Sequence, residues 1–381
     1  MDLQAGDAMT AAVSAVAEDP RYLTEQLLTY LGNKRALLAP IANAVEEVKR
    51  RLGKKKIRVW DAFAGSGVVS RLLKAHASLL VSSDLEEYAA VVGRCFLRNR
   101  SSVDHGLLTE TVDSLNAAAE RTSMPPGFVA DLYAPKDEAN ITSGDRVFYT
   151  KENARRLDDF RRRIDDAPTE LRDLLLGPLL SEASVHANTA GVFKGFYKDR
   201  RTKIGRFGGS NSDALLRILG PIQLAPPRLS RFECDVKVHQ TDANLLATQL
   251  RNLDLAYFDP PYNQHPYGSN YFMLNLLLRY ERPTEMSAVS GIPADWRRSD
   301  YNVRAKSLQT FLDLAAATDA RFLLISFNDE GFITPAEMQS ALQRLGAVDV
   351  VELPHPTFRG SRNLRNRPLH VVERLFLVER R

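Results

Sequence analysis

The chain has 381 residues, 44% apolar and 26% charged, a globular mixture that excludes a wholly disordered, collagen-like or coiled-coil protein. Its 51 Lys and Arg stand against 47 Asp and Glu, so bulk charge does not mark it as a nucleic-acid binder. Two cysteines, Cys95 and Cys234, exclude a disulfide framework and a Cys-rich zinc site and fit a reduced, cytoplasmic setting.

In chain order, residues 1–20 read as a loose, acidic tail with room for a short helix and without the basic flank of a secretory signal. Residues 23–50 read as helix, Gly-containing turn (Leu31-Gly32-Asn33) and second helix. Ile57 to Phe63 is β-like, Ala64-Gly65-Ser66-Gly67 a turn, Val68 to His76 a helix, and Leu79 to Ser83 a second strand ending at Asp84. Strand, turn, helix and strand in this order begin a doubly wound α/β sheet. The diprolines Pro125-Pro126 and Pro226-Pro227 bracket a helical, charged stretch, with helices over 151–166 and Leu171 to Val185 and a Gly- and Lys/Arg-rich loop from Gly191 to Gly209. The α/β pattern then returns: Val236 to Val238, Leu255 to Phe258 ending at Asp259, Phe322 to Phe327, and a last strand over 370–378. No run of about 18 apolar residues spans a membrane. One α/β domain is thus interrupted by a helical insertion of roughly 130 residues, the size of a small domain.

Two corners carry chemistry. Asp61-Ala62-Phe63-Ala64-Gly65-Ser66-Gly67 follows a strand and opens a helix, and its glycines let backbone approach a ligand closely. Asp84 ends the next strand, where nucleoside-binding α/β folds place an acid for ribose hydroxyls. A tight turn beside a surface Asp is the bland alternative. The second corner, Asp259-Pro260-Pro261-Tyr262, is more specific. Two prolines stiffen the exit of a strand, leave carbonyls free, and hold an acid and an aromatic ring together. An aryl amine is a poor nucleophile because its lone pair is delocalised into the ring. Asp259 and the Pro260 carbonyl can accept its two N–H bonds, Tyr262 can stack a flipped base, and an electrophilic methyl opposite would complete an in-line transfer.

At these residues the sequence resembles the adenine-specific DNA methyltransferases that use S-adenosylmethionine, of the Dam type and of type II restriction systems. Tyr30-Leu31-Gly32-Asn33-Lys34-Arg35 resembles their N-terminal cofactor motif and Asp61 to Gly67 their cofactor loop. Asp84 resembles the ribose acid, Asp242 the acid that meets the cofactor's adenine, and Asp259 to Tyr262 the catalytic tetrapeptide. Tyr267 to Tyr271 and Ser326 to Gly331 also look like the family. The resemblance covers roughly residues 21–100 and 230–381, the catalytic domain. It implies the α arrangement, a Rossmann-like sheet with residues 101–229 as a mostly helical target-recognition domain. Tyr30, Lys34, Asp61, Phe63, Gly65, Gly67, Asp84 and Asp242 would then bind cofactor, and Asp259, Pro260, Pro261 and Tyr262 would act on the base, with no metal. Asn263-Gln264-His265-Pro266 departs from relatives that carry a basic residue there.

Charge distribution adds to this. Lys194, Lys198, Arg200, Arg201, Lys203 and Arg206 cluster with Phe193, Phe196, Tyr197 and Phe207 interleaved, and Arg359, Arg362, Arg365 and Arg367 cluster without an acid. Basic residues mixed with Gly and aromatics suit phosphate contacts and base stacking, although most charge runs are solvated surface. The expectation is a site-specific adenine-N6 methyltransferase acting on double-stranded DNA, in a restriction-modification or solitary system. Its partners would be DNA and a cognate restriction endonuclease where one exists, with no membrane, as a monomer or weak dimer. The alternatives are an RNA or cytosine amino-methyltransferase and a catalytically silent nucleic-acid-binding module. A nicotinamide dehydrogenase fits less well, because the glycine turn lacks G-x-G-x-x-G spacing.

Overall fold

The computed structural model describes residues 18–121, 124–209, 214–356 and 370–381. The tail over 1–17 and the basic run holding Arg359, Arg362, Arg365 and Arg367 lie outside the described residues.

Seven strands form one sheet in the order β3-β2-β1-β4-β5-β7-β6. They are β1 (Ile57–Asp61), β2 (Ala77–Asp84), β3 (Asp235–Gln240), β4 (Leu253–Phe258), β5 (Ala320–Asn328), β6 (Gly346–Pro356) and β7 (His370–Arg380). The first five are parallel, and β7 runs antiparallel between β5 and β6. Strand order reverses at β1, and the register pairs Asp61 with Ser82 on β2 and with Tyr257 on β4. The carboxyl ends of these strands therefore lie level at the crevice where doubly wound sheets bind ligands.

Both faces of the sheet are covered, and the strands alternate between two apolar cores. Val59, Leu255 and Tyr257 face one side, where Ile41, Val45 and Val48 of α2 (Leu38–Leu52) and Leu72 of α3 (Val68–Lys74) meet them. Trp60, Ala256 and Phe258 face the other, where helices later in the chain supply Phe311, Leu314 and Met338. The α2 apolar residues recur at helical spacing, and the helix ends at Gly53 in the left-handed conformation.

The inserted segment is helical, as its pattern reads. α4 (Glu87–Phe96), which follows β2, is succeeded by α5 (His105–Glu120), α6 (Phe128–Tyr133), α7 (Lys151–Asp165) and α8 (Arg172–Val185). These helices share one apolar cluster with Tyr271 to Leu278, the region just after the Asp-Pro-Pro-Tyr corner. α8 packs so tightly on α4 that a Cβ on Gly177 would lie 2.5 Å from the sulfur of Cys95, the buried cysteine.

Two sequence expectations need correction. Within residues 23–50 the turn and the second helix form as expected, α2 following a short 3-10 turn from Arg35, but the first helix does not: α1 is only Pro20–Thr24. Leu27, Leu28 and Leu31 mimic a helix face, but backbone N–H groups there bond remote side chains instead. Thr29 N–H donates to Ser184 Oγ at 2.9 Å and Leu31 N–H to Tyr271 Oη at 2.7 Å. The sequence reading also missed β6, an edge strand with Val350 and Val351 exposed and no clean alternation of polarity.

Candidate active site

The glycine loop forms first from its own backbone. Gly65 has φ +51° and Gly67, at the N-cap of α3, φ +75°. Both lie in the left-handed region that an L side chain avoids. Gly67 N–H donates to Ala64 O at 2.7 Å, and Ala64 N–H to Ser83 O at 2.9 Å. Asp84 staples the loop from β2: Oδ2 accepts from Gly65 N–H at 2.8 Å and Oδ1 from Glu86 N–H at 2.9 Å. Burial pushes the Asp84 carboxyl up, while those backbone donors pull it back.

Asp61 lies behind this loop. It is buried, its Oδ2 accepts from Ser70 Oγ at 2.6 Å, and its Oδ1 has no hydrogen-bond partner. Burial pushes its carboxyl up to about 7. Asp242 caps α9 (Ala243–Ala247), accepting from Asn244 N–H at 2.8 Å.

Residues 30–34 lie across the loop. The Tyr30 ring packs against Tyr267 and Tyr271 in a three-ring cluster, with centroids 5.1 and 4.7 Å away and both pairs 15° from parallel. A Cβ on Gly65 would lie 2.9 Å from that ring. The family-like stretch from Tyr267 to Tyr271 thus grips the N-terminal motif.

The Asp-Pro-Pro-Tyr corner leaves the end of β4. Lys34 Nζ stands 3.1 Å from Asp259 Oδ1 and 2.9 Å from Glu373 Oε1 of β7. Ser326 Oγ on β5 donates to the same Glu373 oxygen at 2.7 Å. Burial pushes Asp259 up, Lys34 pulls it down and Glu373 pushes it up again, leaving it at about 6. Burial opposes the Lys34 charge, but the two carboxylates overcome this and hold it well above the usual lysine range. The Tyr262 ring meets Phe327 edge-on at 6.1 Å, and its backbone carbonyl accepts from Phe332 N–H at 2.8 Å.

A cleft runs between the two corners. Of the residues expected from sequence, Tyr30, Lys34, Phe63, Gly65, Asp84, Asp242, Asp259 and Pro261 line it. Asp61, Gly67, Pro260 and Tyr262 stand off its wall. Sequence reasoning missed Glu86, which is buried with a carboxyl pushed up by burial to about 7 and accepts from Asn275 Nδ2 at 2.6 Å. It also missed the strip Arg297, Ser299, Tyr301 and Asn302, which carries no motif. Tyr301 meets Phe63 edge-on at 5.3 Å, and Asn302 Nδ2 donates to Asn263 O at 2.7 Å beside the Asp-Pro-Pro-Tyr corner.

The basic loop is a small hairpin. Arg206 N–H donates to Tyr197 O at 2.9 Å and Asp199 N–H to Ile204 O at 2.8 Å. Asp199, the single acid, is used inside the turn, accepting from Arg201 N–H at 2.9 Å and Thr202 N–H at 2.8 Å. Lys194, Arg200, Arg201, Lys203 and Arg206 are exposed, and Lys198 is half-buried over the Phe196 ring. The expected stacking role fails for two of the aromatics: Phe193 and Phe196 are buried in the helical core against Phe148. Phe193 N–H donates to Asn270 O at 2.7 Å, which ties the base of the hairpin to the segment after the Asp-Pro-Pro-Tyr corner.

Comparison with known proteins agrees with this arrangement. The family model for D12 class N6 adenine-specific DNA methyltransferases matches residues 30–290. That span holds both corners and the insertion between them, and the chain belongs to this family. Type II methyltransferase M.NlaIII of Neisseria lactamica is 26% identical over 367 residues, covering 92% of this chain and 100% of that protein. M.CviAII of Paramecium bursaria Chlorella virus 1 is 28% identical over 337 residues, covering 87% and 93%. Modification methylase StsI of Streptococcus sanguinis is 26% identical over 371 residues, covering 93% of this chain and 52% of its own length. The protein is an adenine-specific DNA methyltransferase. No helix among the described residues is long and apolar enough to cross a membrane.

Proposed function

We propose that this protein takes a methyl group from S-adenosylmethionine and places it on the exocyclic nitrogen of an adenine flipped out of double-stranded DNA, as the modification enzyme of a type II system. The observation that carries the reading is the meeting, around one cleft, of the Asp259 corner and the Gly65 loop. The cleft residues fit the cofactor. Carboxylates of Asp84, Glu86 and Asp242 suit a nucleoside's hydroxyls and amine, and the rings of Tyr30, Phe63 and Tyr301 suit its base. Asp61 behind the loop keeps a buried oxygen without a partner, and the cradle at Gly65 admits no Cβ. When bound, S-adenosylmethionine supplies a methyl on a sulfonium sulfur, which makes that carbon electrophilic.

The chain's own residues do the rest. Lys34 engages Asp259 Oδ1, leaving Oδ2 to accept one N–H of the amino group while the Pro260 carbonyl accepts the other. Two acceptors pyramidalise the nitrogen and aim its lone pair into the cleft. Tyr262 stacks the base, whose extraction from the helix costs a few kcal/mol. Asp259, at about 6, is an anion at neutral pH and basic enough to take the proton that the methylated nitrogen must lose. Residues 101–229 form the target-recognition part. Lys194, Lys198, Arg200, Arg201, Lys203 and Arg206 hold phosphates, with Arg362 and Arg365 as further contacts, and such contacts fix register without reading bases.

The test uses labelled S-adenosylmethionine, unmethylated genomic DNA and the purified protein, with the DNA digested to nucleosides. N6-methyladenine is expected. N4-methylcytosine, or label taken up by RNA alone, would overturn the reading.

A further inference from the structure

We infer that Glu373, a positioning residue on β7, sets through Lys34 how strongly Asp259 accepts the target amino group. This rests on the reading of Asp259 proposed above.

The observation is a buried chain of three charges. Lys34 Nζ lies between Asp259 Oδ1 at 3.1 Å and Glu373 Oε1 at 2.9 Å. Lys34 is 5% exposed and Glu373 2%. A lysine placed only to balance Asp259 would need one acid. Here two acids contact the same ammonium. Ser326 Oγ donates to Glu373 Oε1 at 2.7 Å and so favours its charged form. The two carboxylates contact one nitrogen, so each acts on the other at short range and with little solvent between them.

The consequence is a tuned acceptor. Lys34 alone would hold Asp259 as a weak base and tie up its charge. Glu373 draws the ammonium toward β7 and raises the proton affinity of Asp259. Asp259 then keeps enough electron density to polarise an amino N–H and take its proton. The groups that face Asp259 are Lys34, Glu373, Tyr257, Tyr262, Asp61 and Tyr267. The tyrosines stay neutral, because burial raises all three hydroxyls. Asp61 adds repulsion of the same sign from behind the loop. Glu373 is therefore the carboxylate that reaches Asp259 through a shared contact with Lys34.

The test is the pH profile of single-turnover methyl transfer by the full chain on its DNA. In Glu373→Gln one negative neighbour is gone, so Asp259 stays ionised to lower pH. The acid limb is expected to move down by about one pH unit, with a lower plateau rate and an unchanged dissociation constant for S-adenosylmethionine. Glu373→Asp, which keeps the charge, should return the limb toward wild type. Ser326→Ala gives a smaller move in the same direction and serves if Glu373→Gln does not fold. An acid limb that stays in place or moves up in these variants, with cofactor still bound, would overturn the inference while leaving the methyltransferase reading intact. A wild-type protein that makes no N6-methyladenine would overturn both.

Discussion

Replacing Lys34 with Met removes the ammonium between two buried carboxylates, which should change both the pH dependence of the rate and the stability of the fold. Asp259 sits at about 6 in the native protein, so at pH 7 it is ionised about ten to one. Loss of a cation in direct contact raises a carboxyl by about 1–3 units. A rise of about 2 units inverts the ratio, so methyl transfer at pH 7 should fall to about a tenth and recover toward pH 9. Stability should move the opposite way. A carboxyl whose folded-state pKa is raised above its unfolded value binds more protons folded than unfolded between the two. Its contribution is therefore lost as pH rises through that window. At about 1.4 kcal/mol per unit, Lys34→Met should cost about 3 kcal/mol by pH 8.5 and progressively less toward pH 5. Single-turnover rates and thermal melts over that range test both. A rate deficit of equal size at every pH would refute the reasoning and place Lys34 in cofactor binding instead.

Three further outcomes are expected. Gly65→Ala must hold a left-handed backbone, worth about 1–2 kcal/mol, and press a Cβ against the clamped Tyr30 ring, so calorimetry should show cofactor affinity down by about tenfold or more. An unchanged dissociation constant would show that the loop does not touch the cofactor. Changing Arg200, Arg201 and Lys203 to Ser should weaken DNA binding and lower the salt slope by about one for each phosphate no longer neutralised, read from titrations at several salt concentrations. An unaltered slope would mean that the hairpin is solvated surface. Asn188 is buried and bonds Val147 O at 2.8 Å, Arg206 O at 3.1 Å and Gly208 N–H at 3.1 Å, so Asn188→Ala should lower stability by about 1–3 kcal/mol in denaturant melts.

Much of the candidate site was legible because its residues sit at strand ends. A β-run followed by Asp-Ala-Phe-Ala-Gly-Ser-Gly, or by Asp-Pro-Pro-Tyr, declares both the turn and the ligand-facing corner. The sheet order then brings the two corners together, as the doubly wound pattern requires. Lys34 was legible as a motif residue, but its contact was not. It meets the Asp259 corner and Glu373, and the latter reads in sequence as one polar position of a last strand. Only the antiparallel insertion of β7 beside β5 carries Glu373 to the site. The first helix expected within residues 23–50 failed for a similar reason. Apolar spacing cannot show that Tyr271 and Ser184, far along the chain, supply the hydrogen bonds a helix would otherwise make. Phe193 and Phe196 misled in the other direction, since aromatics among basic residues look like a stacking surface until the core that absorbs them is seen.

The most direct measurement is single-turnover methyl transfer by Asp259→Ala at saturating DNA and S-adenosylmethionine, with cofactor affinity measured on the same samples. If Asp259 and the Pro260 carbonyl together activate the amino group, the rate should fall by about 100- to 1,000-fold while the cofactor still binds. A variant that binds cofactor and methylates adenine at a rate near wild type would contradict the account, because the Asp-Pro-Pro-Tyr corner would then not be where the chemistry is done.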